Sequence, residues 1–304
     1  MTDRSLAFKL LQWYGLALHH PGQWRVHAAL RRLLQVSIDQ EFEVQRQGLK
    51  WILNPSDFMQ QDLFWLGIAD RWELYHALRF IRADSVILDV GANIGYYSMM
   101  IASALGGRCE IHAFEPAEET HARLTRNIAL NGLTCIRAHR VGLADVPGWA
   151  RIQRPAGNSG AAYLEGGGRE TPVSTLDHFV REQALRRVDF IKIDVEGLEE
   201  RVLRGASEVL SRHRPMLLVE LQPLTLQRAG SSVSRLLELL DAQGYEVWEP
   251  NWHRLVPLRK RTASAWLVNI FGHPKQVLGS GTVAIGPQPR ELTLEGSDVQ
   301  ARPP

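Results

Sequence analysis

Apolar positions along much of the chain fall in short bursts that end in an acidic residue or a glycine, with stretches of helical spacing between them. Ser85 to Gly91 (SVILDVG) is one such burst, rich in β-branched residues, and it predicts a buried parallel strand. Tyr96 to Leu105 contains neither Pro nor Gly, so a helix follows and Gly91 to Gly95 forms the turn between them. The pattern recurs in Cys109 to Pro116 (CEIHAFEP), which ends beside Glu115. Val188 to Leu210 predicts a strand ending at Asp194 and then a helix, and Arg214 to Pro223 (RPMLLVELQP) predicts a strand with Glu220 at its end. Strands alternating with helices predict an α/β fold with a mostly parallel sheet, and three of these strands deliver carboxylates to one edge of it.

The pattern differs before residue 70. Leu6, Leu10, Trp13, Tyr14, Ala17 and Leu18 follow helical spacing up to a break at Pro21-Gly22, and a second helix carries Leu30, Leu33 and Leu34. Glu41 to Leu53 alternates as a hairpin around Gly48. The expected organisation is a helical and hairpin cap over 1–70, a main domain over 71–274 and a flexible tail over 275–304, which has too few apolar residues for a core. The glycine-rich run between Pro147 and Pro172 predicts a β-hairpin with a mobile tip, where Asn158 and Ser159 are candidate contacts for a substrate.

Composition changes this picture little. A formal charge of +2 on 304 residues disfavours nucleic acid as a partner. Cys109 and Cys135 form neither a zinc spacing nor a disulfide framework, and they are expected on neighbouring strands of a reduced protein. The first apolar stretch is too short to span a bilayer and no cleavage site follows it, so a cytoplasmic location is expected. Its amphipathic helix is expected to pack on the domain or on a second subunit, with peripheral contact to a membrane as the alternative.

The chemistry turns on Gly91-Ala92-Asn93-Ile94-Gly95. A dinucleotide calls for GxGxxG, whose second glycine lets the backbone approach a pyrophosphate. Here Ala92 and Asn93 fill the intervening positions, and Asp89 stands at the strand end, where it would repel a phosphate. A carboxylate there suits an ammonium or sulfonium, and S-adenosylmethionine carries both. Glu115 lies where an acidic side chain accepts hydrogen bonds from a ribose diol, which fits either cofactor. An NAD-dependent oxidoreductase and a noncatalytic binding protein of the same fold are the alternatives.

The ordered motifs DVGANIGYYS, AFEP, Asn127 and Asn131 in RNIALNG, STLDHF, and FIKIDVEGLEERVLRGA followed by LLVEL resemble the FkbM family of S-adenosylmethionine-dependent methyltransferases, over roughly residues 70 to 250. The resemblance implies a class I methyltransferase fold: a Rossmann-like, mostly parallel seven-stranded sheet with helices on both faces. It also implies O-methylation of a small-molecule or glycan acceptor, a hydroxyl on a sugar, glycolipid or other natural-product scaffold. Asp89, Gly91, Ala92, Asn93, Gly95, Ser98, Glu115 and Pro116 are then the candidate cofactor residues, and Glu73 matches a family glutamate that helps close the site. Asp145 is a positional candidate for the adenine amino group. Asp194 is the first candidate for the base that takes the hydroxyl proton, with Glu220 and Glu196 as alternatives; two such carboxylates also suit Mg²⁺. His112, His121 and His139 are weaker candidates.

Overall fold

A computed structural model of the chain describes residues 6–18, 20, 22–36, 38–153, 163–165, 170–251, 254–258 and 268–275. Helices α1 (Leu6–Ala17) and α2 (Gln23–Leu33) are separated at Gly22, whose φ of 75° ends helical geometry. Strands β1 (Phe42–Arg46) and β2 (Leu49–Leu53) form the expected hairpin. Its turn residues, Gln47 and Gly48, both have positive φ (52° and 75°), as a two-residue turn matched to strand twist requires. Helices α3 (Gln61–Leu66) and α4 (Arg71–Phe80) follow, split at Gly67 in the left-handed region.

The α/β alternation then begins with β3 (Val86–Val90), α5 (Tyr96–Ala104), β4 (Glu110–Phe114), α6 (Glu118–Leu130) and β5 (Ile136–His139). Four short strands make a second sheet: β6 (Gly142–Leu143), β7 (Gly148–Gln153), β8 (Tyr163–Glu165) and β9 (Thr171–Ser174). The glycine-rich hairpin is β7–β8, while Asn158 and Ser159 lie outside the described residues. The chain continues through α7 (Leu176–Glu182), β10 (Phe190–Ile193), α8 (Glu199–Arg204), α9 (Ser207–Arg212) and β11 (Met216–Leu221). It ends with α10 (Pro223–Arg228), α11 (Val233–Ala242), β12 (Tyr245–Asn251), β13 (Arg254–Pro257) and β14 (Val268–Pro274). Residues 276–304, most of the expected tail, lie outside the described residues.

Among the described residues the main sheet has eight strands, in the order β13-β12-β14-β11-β10-β3-β4-β5. The expected mostly parallel seven-stranded sheet is therefore present with an addition. β13 folds back antiparallel on β12 and covers what would otherwise be an open sheet edge. From β3 the chain moves outward through β4 and β5, then returns to β10 on the other side, so the strand order reverses between β3 and β10. A crevice forms at the carboxyl ends of strands at such a reversal.

Side-chain alternation divides the core between the two faces of the sheet. Ile87, Ile111, Phe190 and Leu218 face a cluster with α5 and the amino-terminal Phe8, Trp51 and Phe64, while Leu88, Ile191, Leu217 and Val219 pack with α7, α8 and α11. The two motif asparagines fasten the cap to this body. Asn127 Oδ1 accepts the Ile52 N–H at 2.7 Å and its amide donates to the Ile94 carbonyl at 3.1 Å. Asn131 pairs with both backbone groups of Lys50. The single helix expected after Gly197 is broken into α8 and α9 at Gly205 and Ala206, and Gly205 lies so close to the Ala144 carbonyl that a Cβ would meet its oxygen at 2.1 Å.

Candidate active site

The same alternation assembles a cluster of charge at the crevice. Asp89 is in register with Lys192, and Lys192 with Leu218, so Asp89 and Lys192 share one face of the sheet; Asp194 and Glu220 are two residues further along their chains. The turn after β3 is pressed against the turn after β10. Gly91 has φ 78°, and a Cβ on it would sit 1.8 Å from the Asp194 carbonyl oxygen, which only glycine avoids. The Gly91 and Ala92 N–H groups donate to the Phe114 carbonyl at 3.0 and 2.9 Å, tying this turn to the end of β4.

Glu115, just past β4, accepts the N–H of Asn93 at 3.1 Å and that of Ala117 at 2.9 Å. Burial pushes its pKa up to about 7 despite these two bonds. Gly91, Ala92, Asn93, Glu115 and Pro116 line the cavity, and Phe114, Val141 and Leu143 give it an apolar side. Gly95 closes the start of α5 instead, where a Cβ would meet Leu124 Cδ1 at 2.6 Å.

Asp89 and Ser98 are not on the cavity wall. Asp89 is 1% exposed and accepts the Ser98 hydroxyl at 2.6 Å and its N–H at 3.2 Å, bonds that hold the first turn of α5. Strand alternation points Asp89 at α5, so the direct ligand contact expected of a strand-end carboxylate is replaced by a supporting one. Lys192, which sequence reasoning passed over, is the charge between them. Its ammonium lies 3.2 Å from Asp194 Oδ2 and 3.7 Å from Asp89 Oδ1, and it donates to the Gly91 carbonyl at 2.8 Å. Burial opposes this charge, but Asp194 and Asp89 outweigh it and hold the Lys192 pKa above its ordinary value. A lysine in alternation with Asp194 inside an apolar strand was the available signal.

Asp194, Glu196, Glu220, Asp70 and Lys192 all border the cavity. Burial, then the negative charge of Asp194, raises Glu196 to about 7; burial, then Asp194 and Glu196, carries Glu220 well above the carboxylate range. Glu220 Oε2 is buried with no hydrogen-bond partner among the described residues, and Glu220 is in register with Asn269, another wall residue. Glu199 supports the turn from below, accepting the Val195 and Gly197 N–H groups at 3.1 Å each. Asp70 is the second residue missed. It sits in the left-handed region (φ 36°), accepts a hydrogen bond from Tyr97, and is raised to about 6 by burial and by the charges of Glu73 and Asp194. Glu73, one helical turn on, is half-buried behind Asp70 and does not line the cavity. Nothing local distinguished Asp70 from an ordinary residue preceding a helix.

The remaining wall comes from the cap and the second sheet. Phe58, Met59 and Leu63 line it from one side, Ile152 and Tyr163 from another. Arg228 stacks 3.8 Å over the Tyr163 ring and donates to the Glu196 carbonyl at 2.8 Å, linking hairpin to turn. Asp145 is off the wall: Arg201 on α8 draws it into an ion pair at 2.7 Å. His112 and His139 stack inside the fold at 5.2 Å and border no part of the cavity. Among the described residues no group of three or more His, Cys, Asp or Glu side chains is arranged to hold a metal ion, and none of the helices is long and apolar enough to cross a membrane.

Several known proteins share sequence with this chain. Over 239 residues the chain is 26% identical to the AMB antimetabolite synthetase AmbE of Pseudomonas aeruginosa, a match covering 64% of this chain but only 11% of that one. It is 27% identical over 187 residues to the 31-O-demethyl-FK506 methyltransferase FkbM of Streptomyces tacrolimicus, covering 50% and 69% of the two chains. It is 31% identical over 130 residues to the hexuronic acid methyltransferase AglP of Haloferax volcanii, covering 42% and 52%. Residues 89–247, which run from the buried Asp89 through every strand-end carboxylate of the crevice, match the methyltransferase FkbM domain, and the chain belongs to that family of methyltransferases.

Proposed function

We propose that this protein transfers a methyl group from S-adenosylmethionine to a hydroxyl oxygen on a sugar, glycolipid or other natural-product scaffold. When bound, the cofactor supplies an electrophilic methyl group on a sulfonium. The observation that carries the reading is the convergence of Glu115, the Gly91–Asn93 backbone and an acidic cluster on one cavity. Glu115, oriented by two backbone N–H groups, is suited to accept hydrogen bonds from a ribose diol. Phe114, Pro116, Val141 and Leu143 offer an apolar slot for adenine, and the acidic wall favours a cation. The names of two relatives point to the acceptor: one refers to the 31-O position of FK506 and the other to hexuronic acid.

The proton of the acceptor hydroxyl has to be taken as the new bond forms. Glu196 is the base best matched to the task, since it borders the cavity and its pKa of about 7 lies near the working pH. Asp194 has one oxygen committed to the Lys192 ammonium, and it is better placed to fix that charge than to exchange protons. Glu220, whose buried Oε2 has no partner among the described residues and whose pKa is raised by burial and by Asp194, is positioned to hydrogen-bond the acceptor.

Methyl-labelled S-adenosylmethionine, offered with a panel of hydroxylated sugars, lipids and polyketides, tests the assignment. With an acceptor in hand, Glu196→Gln is expected to lower kcat by about 100- to 10,000-fold with little change in cofactor affinity. The parent kcat should rise with pH through about 7 as Glu196 loses its proton. Chelator should have no effect; loss of activity with chelator and its return with Mg²⁺ would replace the base by a metal. A protein that binds no S-adenosylmethionine would remove the reading altogether.

A further inference from the structure

We propose that the outer face of the α1–α2 hairpin docks on an anionic lipid surface. The proposal concerns where the protein sits and does not depend on which acceptor it methylates. Helix α1 is apolar on two sides. Phe8, Leu11 and Gly15 face inward, and Phe8 packs against Phe42, Phe64 and Trp65. A second stripe, Leu6, Leu10 and Trp13 at helical spacing, points outward with 73%, 53% and 60% of each residue exposed. Helix α2 exposes Trp24 and Leu33, at 57% and 76%, on opposite flanks of the side that carries Arg25 and Arg32. Single exposed apolar residues are normal on protein surfaces, but a second complete stripe along one short helix is not.

Charge identifies what covers it. From Leu6 to Ile38 the chain carries Lys9, Arg25, Arg31 and Arg32 and no acidic residue, although the whole chain is only +2, so the remainder is net acidic. Arg31 turns inward to Gln61 Oε1 at 2.6 Å, while Lys9, Arg25 and Arg32 are exposed. Arg25 lies 5.1 Å over the Trp24 ring, an amphipathic pair suited to a headgroup layer. A second copy of the chain would bring two such basic faces together, and like charges oppose that contact. An anionic bilayer satisfies both the apolar stripe and the basic residues around it. Twelve residues of α1 are too few to span the bilayer, so the helix lies along the interface. The cap that carries this face also supplies Phe58 and Met59 to the cavity wall, 62% and 42% exposed.

Co-sedimentation of the full chain with vesicles of phosphatidylcholine, alone or with about one third phosphatidylglycerol, tests the proposal. The protein should partition into the anionic vesicles at least about tenfold more strongly than into the neutral ones, and less so as salt rises. Arg25→Gln with Arg32→Gln should lower partitioning roughly 30-fold, the effect of two interfacial charges. Leu10→Ser with Trp13→Ser should abolish it while leaving the melting temperature and S-adenosylmethionine binding at the parent values. Failure of the parent to bind anionic vesicles, or equal binding by both double variants, would overturn the proposal. So would a dimer in velocity sedimentation that Leu10→Ser with Trp13→Ser dissociates, since the face would then belong to a second copy.

Discussion

Replacing Glu115 by Gln keeps the side-chain shape and removes the charge. The carboxylate accepts two backbone N–H groups, from Asn93 and Ala117, and is 7% exposed. An amide can satisfy only one of them, and its NH₂ then faces the other donor in a buried setting. The proposed contact with a ribose diol becomes neutral as well. Hydrogen bonds to a charged group contribute about 1.5–3 kcal/mol, so S-adenosylmethionine should bind roughly 10- to 150-fold more weakly to Glu115→Gln. Stability carries an independent signature. Burial raises the folded-state pKa of Glu115 from 4.5 to about 7. A raised carboxylate pKa stabilises the fold below pH 4.5, and that contribution is lost as pH climbs through about 7, on the order of 3 kcal/mol in all. The Gln variant has no such group to ionise, so its stability deficit relative to the parent should shrink between pH 5 and pH 8. Isothermal titration calorimetry and thermal melts at the two pH values measure both effects. A folded Glu115→Gln that binds the cofactor within about threefold of the parent would refute the placement of the ribose.

Gly91→Ala should cost about 4 kcal/mol or more, seen as a large fall in melting temperature, because its Cβ would meet the Asp194 oxygen; Gly132→Ala, with φ 60° but open space around it, should cost only about 1–2 kcal/mol. Lys192→Met leaves Asp89 buried without its cation and should lose about 3–5 kcal/mol in urea denaturation, with S-adenosylmethionine binding impaired as well. Asn127→Ala strands the Ile52 N–H and the Ile94 carbonyl, at about 1–3 kcal/mol each, and hydrogen exchange at Ile52 in β2 should accelerate far more than at Leu88 in β3.

The sequence by itself determined what depends on near neighbours. Apolar bursts closed by Asp or Glu located β3, β4, β10 and β11 and the carboxylates near their ends. The Gln47-Gly48 hairpin, the turn from Gly91 to Gly95 and the break at Gly22 follow from backbone preferences of a few residues. The family was legible because its motifs are contiguous strand-turn-helix units. Tertiary structure decided what each charge touches. Asp89 had the residue type expected of a ligand contact, yet it faces α5 and Ser98, because the helix that follows its strand packs on that face. Asp145 lies in the right loop but is claimed by Arg201 from α8, 56 residues away in the chain. Asp70 enters from the cap and Lys192 from β10 to align beside β3, and neither reads as a site residue until those elements meet. Backbone conformation is governed by local sterics, which are written in adjacent residues. Desolvation and charge pairing depend on which distant side chains share the same few ångströms, and only the packed fold brings them there.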